Sequence, residues 1–258
     1  MTERRKPDVT IEAPHARYLV DAYYTMQEYR IGAAAQAREH IAPSQFIAAI
    51  ADRAQAIEED IAYQLGHYAR RDPVGRWLMG VYGIGPVISA GLLAHIDITR
   101  CPSPSALWRY AGQDPSCEWR KGEKRPWNAD LKVLCWKIGQ SFLKFSGRDE
   151  CYYGRLYRER KQWEIERNES GGNAEYAAKA LQGKRYKAGT VTRAALEEGR
   201  LSAAHVDARA RRWVVKLFLS HVWEVMYRVH YGEEPPKPYV FEHLGHVHRI
   251  EPPGWPME

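Results

Sequence analysis

This 258-residue chain has no run of eighteen apolar residues. A membrane-spanning helix is therefore not expected. Its first residues, Met1-Thr2-Glu3-Arg4-Arg5-Lys6-Pro7, lack the apolar stretch of a secretory signal. Cysteine is scarce: Cys101, Cys117, Cys135 and Cys151 are the only four, and no two form a Cys-x-x-Cys pair. That argues against a zinc ribbon or a dithiol redox motif, and for reduced thiols, some of them in the core, in a cytoplasmic protein. Also missing are a Gly-x-x-x-x-Gly-Lys phosphate loop, a Gly-x-Ser-x-Gly elbow and a dinucleotide fingerprint. No complete catalytic set emerges. There is no internal repeat, no low-complexity tract and no long βαβ series, so the expected fold is mostly α, a helical bundle.

What is present begins with a core, since 45% of the residues are hydrophobic. Charge is unevenly spread. Met1 to Gly75 holds nine Lys/Arg against eleven Asp/Glu, whereas Arg120 to Trp163 holds twelve against five. A basic block attracts a polyanion; its plainer reading is a solvated surface.

Just before that block stands Trp77 to Ala94, which reads as helix, turn, helix around Gly83-Ile84-Gly85-Pro86. Gly83 and Gly85 permit positive φ and close backbone approach. Pro86 suits the first position of a helix, where its missing N–H costs nothing. The free N–H groups at such a start, here those of Val87 and Ile88, favour a phosphate. The expected element is a helix-hairpin-helix that grips a nucleic-acid backbone without reading bases, with Ile84 plugging the two helices together. A purely structural turn is the alternative.

The helical periodicity divides the chain into four parts. Residues 1–73 form an N-terminal α-hairpin, helical from Pro14 to Glu39 and from Ser44 to Ala69. This pair either packs on the rest or mediates a homo-oligomer. Residues 74–167 hold the helix-hairpin-helix, a short helix after Ser103 or Ser105, an irregular basic segment from Gln113 to Trp127, a helix capped by Asn128, and another from Glu150 to Arg167. Residues 168–234 form a helical region, beginning with a flexible break at Asn168–Asn173 and ending in a long helix from Ser202 to Tyr231. Residues 235–258 are a Pro/His-rich tail, in which alternation around Leu244-Gly245 predicts a small C-terminal β-hairpin.

Within the basic segment Trp119, Arg120, Lys121, Lys124, Arg125 and Trp127 interleave aromatic and cationic side chains. Such a pattern stacks on bases and holds phosphates, or it packs the two indoles at the core edge. Trp136, Trp213 and Trp223 read as core. In the tail, His243, His246 and His248 could share one side of the hairpin beside Glu242, a donor set suited to a divalent metal. No fourth ligand is identifiable.

Several landmarks fall in a familiar order: Gly83-Ile84-Gly85-Pro86, Ala90-Gly91-Leu92-Leu93, Cys101-Pro102-Ser103-Pro104-Ser105-Ala106-Leu107, and Tyr110-Ala111-Gly112-Gln113-Asp114-Pro115-Ser116, followed by a Leu- and Lys-bearing helix. Residues 74–160 thereby resemble the C-terminal domain of the insertion-sequence transposases that join a RuvC-like DEDD nuclease to a serine-bearing helix-hairpin-helix domain. The resemblance implies DNA binding and recombination on a mobile element or phage. The segment before the turn is too short for a RuvC-like sheet, and Glu58-Glu59-Asp60 reads as a helix surface. Where the family places a Ser-Gly pair beyond its Gly-x-x-Pro turn, this chain has Arg120-Lys121; Ser116 is the nearest serine. The expectation is a transposase-related DNA-binding protein without its nuclease. RNA stays open on the same phosphate logic. The alternatives are an active recombinase or nuclease, using Ser116 or a metal at the tail histidines, and a structural or protein-interaction module with no nucleic-acid role.

Overall fold

Asp72 starts the helix that leads into the Gly83 turn: its carboxylate accepts a hydrogen bond from the Val74 N–H at 2.7 Å, with Pro73 following. The same logic recurs. Ser103 accepts from the Ala106 N–H ahead of Pro104, and Asn128 accepts from the Leu131 N–H. Each cap gives a partner to an N–H that a helix start would otherwise leave without one.

The computed structural model describes residues 10–39, 45–183, 185–236 and 249–257. Among these are ten α-helices and no strand. They are α1 (Ala13–Glu39), α2 (Gln45–Arg70), α3 (Pro73–Gly80), α4 (Pro86–His95), α5 (Pro104–Tyr110), α6 (Ala129–Lys144), α7 (Tyr152–Glu169), α8 (Ala174–Gly183), α9 (Val191–Glu197) and α10 (Ala203–Tyr231). The fold is mostly α. The β-hairpin predicted around Leu244-Gly245 lies outside the described residues.

The main core gathers around α10. Val214, Phe218, Leu219, Val222 and Val225 recur along its buried side and pack with Trp77 and Leu78 of α3, Leu131, Ile138 and Phe142 of α6, and Tyr153 and Tyr157 of α7. Phe142 sits at the junction, stacked on Tyr153 at 4.9 Å and edge-on to Phe218 at 5.4 Å. Residues 249–257 return to this core: the Trp77 indole N–H donates to the Pro253 carbonyl at 2.8 Å. Gly232, in the left-handed region at φ 71°, ends α10.

A second core holds α4 in place. Ala16 and Val20 of α1, Leu65 of α2, and Val87, Ala90 and Ala94 of α4 are buried together. Gly91 turns the other way. A Cβ there would lie 2.8 Å from Leu134, so α6 presses against α4 at that point. Thus α4 is clamped between the α1–α2 pair and α6. The outer half of the pair is thinly packed: from Thr25 to Asp60 only Ala54 and Glu58 are buried among the described residues.

Asn168–Asn173 differs from the flexible break expected of it. The Asn168 side chain donates to the Leu201 carbonyl and accepts from the Leu201 N–H and the Asn173 amide, all at 2.8 to 3.0 Å. Polar composition misled here, because buried amides with every partner in place make a fixed turn.

Candidate nucleic-acid interface

The two glycines of the α3–α4 turn do different things. Gly83 has φ +91°. Its carbonyl accepts the Ser141 hydroxyl, and a Cβ would lie 3.1 Å from that oxygen and 3.5 Å from Phe145. Gly85 is extended, at φ −96° and ψ −177°, and a Cβ there would meet nothing within 4 Å. Of the two glycines that permit positive φ, Gly83 alone uses it. Ile84 is 3% exposed, within the main core.

The tip of the turn is tied to the rest of the chain on one side. Tyr82 meets Phe145 edge-on at 5.4 Å, and the Cys151 thiol donates to the Tyr82 carbonyl at 3.8 Å. Tyr82 still faces solvent, as does Gly85 at the start of α4, where Pro86 and Ile88 are half-buried and Val87 is buried. Gly85 is the N-cap and offers no side-chain acceptor, and the first turn of α4 has no acidic residue. The N–H groups of Val87 and Ile88 find no acceptor among the described residues. Pro86 contributes no N–H. This start therefore presents two free donors and the positive end of a helix dipole.

Arg120, Lys121, Lys124 and Arg125 are all exposed. They are not beside the turn. Asn128, at the start of α6, touches His95 at the end of α4 at 3.4 Å, while Ser141, near the end of α6, touches Gly83. The two helices run antiparallel, so Asn128, where the basic segment joins α6, lies about 20 Å from the Ser141 end at the turn, the rise of thirteen helical residues. Chain proximity misleads here because α6 carries the chain away. Exposed cations near the turn include Lys144 and Arg148, at the α6 end that packs on Tyr82, and Arg70, whose guanidinium lies with Pro86 around Gly66.

Trp127 packs within the chain. Lys132 Nζ lies 3.8 Å from its ring centre, and a Cβ on Gly112 would lie 2.9 Å from the indole. Trp119 meets Trp127 edge-on at 6.5 Å and donates its N–H to the Glu123 carbonyl at 2.7 Å. It keeps 37% exposure. The Ser116 hydroxyl donates to Asp114 Oδ1 at 2.7 Å, and this bond holds the Asp114 carboxyl below its ordinary value. A carboxylate so stabilised is a poor base, so Ser116 has no activating partner in that pair. His243, His246 and His248 lie outside the described residues. Within the described residues no group of three or more His, Cys, Asp or Glu could hold a metal.

A further feature escaped the sequence reading. A cleft of about 870 Å³ opens between α6 and α10, bounded by the 112–117 segment, α7 and α8. Six cations line it, Lys132, Arg160, Arg209, Arg211, Arg212 and Lys216, against the carboxylates of Asp114 and Glu164. Glu164, 1% exposed, is gripped by Arg160 at 2.7 Å and Arg209 at 2.9 Å. Arg211 pairs with Asp207 at 2.8 Å. Lys132 and Lys216 make no ion pair among the described residues, and burial lowers the pKa of both amines. Trp136, which read as core, is 58% exposed on the cleft wall. The apolar stripe of α6 is Leu131, Leu134, Cys135, Ile138 and Phe142, and Trp136 falls outside it. The signal for the cleft is present in the chain as Lys132, Trp136 and Gly139 on α6, and His205, Arg209, Arg212 and Lys216 on α10. Each set recurs at three- and four-residue steps, which places it on one helix face.

No family model matches the chain, and no curated protein or solved structure matches it either. None of the described helices is long and apolar enough to cross a membrane.

Proposed function

We propose that this protein binds DNA through the phosphate backbone, with the N-terminus of α4 as the anion contact, in the manner of the transposase helix-hairpin-helix domain that residues 74–160 resemble. One observation carries the reading: the Val87 and Ile88 N–H groups have no acceptor among the described residues, behind an exposed Gly85 with open space around its Cβ position and no acidic residue in the first turn of α4. A phosphate oxygen accepts from both donors, and the missing Cβ lets the backbone approach closely. Lys144 and Arg148 supply neighbouring positive charge. Contacts of this kind position the duplex without reading its sequence.

The test is Gly85→Asp. The extended backbone at this position suits an N-cap aspartate, whose carboxylate takes the free N–H groups and adds a negative charge where the phosphate sits. The fold keeps its stability and salt-sensitive duplex binding is lost. A folded Gly85→Asp protein with parental duplex affinity overturns the reading.

A further inference from the structure

The cleft between α6 and α10 has a composition that its own ion pairs do not exhaust. Glu164 occupies Arg160 and Arg209, and Asp207 occupies Arg211. Three cations remain uncommitted. Lys132 and Lys216 lie over the rings of Trp127 and Trp108, at 3.8 and 4.2 Å, and neither amine meets a carboxylate. Arg212 is exposed and makes no ion pair among the described residues. Between them on the α6 wall stands Trp136, most of its indole open to solvent. An indole this exposed, with the Lys137 amine 5.7 Å from its ring centre and no aromatic ring against it among the described residues, stands in a cleft where three cations meet no carboxylate, which leaves both apolar area and positive charge uncompensated. A ligand that carries both a flat ring and a phosphate relieves both costs.

We infer that this cleft binds unpaired nucleotides of a single DNA strand, one base stacked on Trp136 and the adjoining phosphates held by Lys132, Arg212 and Lys216. The inference rests on the DNA-binding reading for its partner class but uses none of the residues at the α4 N-terminus. At about 870 Å³ the cleft has the size of a site for small ligands, roughly 300–1,000 Å³. It takes a few nucleotides of one strand, whereas a duplex stays outside. Stacking accepts any base, because every base offers a π-face. A free nucleotide shares this chemistry; a strand differs in that successive phosphates engage cations on both walls at once.

The experiment follows the affinity of the full chain for oligo(dT), dTMP and a duplex by fluorescence titration. The proteins are the parent, Trp136→Ala, Trp136→Phe, Lys132→Ala/Lys216→Ala and Gly85→Asp. Trp136 is largely exposed, so its replacement leaves the fold in place, checked by circular dichroism. The expected result is that oligo(dT) binds more tightly than dTMP and that Trp136→Ala weakens it by about 5- to 150-fold, the range that base stacking covers. Trp136→Phe retains part of the affinity, the lysine pair flattens its salt dependence, and Gly85→Asp costs oligo(dT) less affinity than Trp136→Ala does. Parental oligo(dT) affinity in both Trp136→Ala and the lysine double variant overturns the assignment. So does dTMP binding as tight as that of the strand, or no oligo(dT) binding by the parent. Failure of the α4 reading shows separately, as duplex binding that survives Gly85→Asp.

Discussion

The Ser141 hydroxyl donates to the Gly83 carbonyl at 2.5 Å, and this bond ties the α3–α4 turn to the far end of α6. Gly83 is doubly constrained, by its φ of +91° and by the 3.1 Å that would separate a Cβ from the same hydroxyl. Gly83→Ala is expected to cost about 1–3 kcal/mol, because a side chain is strained at this φ whatever the space. Gly85→Ser, in open space with extended backbone, changes stability by only a few tenths of a kcal/mol. Urea denaturation of the two variants checks the contrast, and equal midpoints would contradict the division of labour between the glycines.

Glu164 is the one carboxylate fully enclosed at the cleft, and Arg160 and Arg209 both depend on it. Glu164→Ala leaves two facing guanidiniums without a counter-charge. Removing one partner of a buried pair costs about 3–5 kcal/mol. Here each guanidinium side chain keeps 25% exposure, so water screens part of the repulsion and about 2–3 kcal/mol is expected. A melting temperature equal to the parent's would show that the clamp does not hold α7 to α10.

His221 makes stability depend on pH. Its Nε2–H donates to the Ile250 carbonyl at 2.8 Å, so Nδ1 accepts from the Tyr153 hydroxyl at 2.7 Å. Burial pushes its pKa from 6.5 down to about 4, outweighing the Ile250 hydrogen bond and Glu224, which favour the charged ring. The unfolded chain therefore takes up a proton near 6.5 while the folded chain does not. The contribution is fully present above that value and is lost as pH falls toward 4, about 3 kcal/mol in all. Denaturation at pH 7.5, 5.5 and 4.5, compared with His221→Gln, isolates it. A parallel decline in the two proteins would remove His221 as the cause.

The outer half of the α1–α2 pair should open before the rest. With Ala54 and Glu58 alone buried between Thr25 and Asp60 among the described residues, little apolar area resists local unfolding. Hydrogen exchange is expected to be fastest in the helical parts of that span and slowest along the buried side of α10. Equal protection in both would mean that something else covers the pair.

Helices were legible where local chemistry decides them. Asn128 marks a start and Tyr231 an end that the folded chain uses as such, whereas the Asp72-Pro73 cap of α3 went unread. Ser103, rather than Ser105, caps α5, because its hydroxyl reaches the Ala106 N–H. The burial of Ile84 was legible, since an apolar residue inside a glycine turn has little else to do. The spatial assembly was not legible. Arg120 and Gly83 are near in the chain yet separated by the length of α6. Lys132 and Lys216 are far apart in the chain yet line one cleft. Trp136 looked like core because tryptophan usually is; only the packing of α6 on α4 and α10 shows that its face is left open.

The most direct measurement is the fluorescence anisotropy of a labelled duplex at two salt concentrations, with the parent and with Gly85→Asp. Parental binding is expected to weaken steeply with salt and to be lost in Gly85→Asp, whose melting temperature is equal or slightly higher. Parental binding that ignores salt, no binding at all, or undiminished binding by Gly85→Asp would contradict the DNA-binding reading.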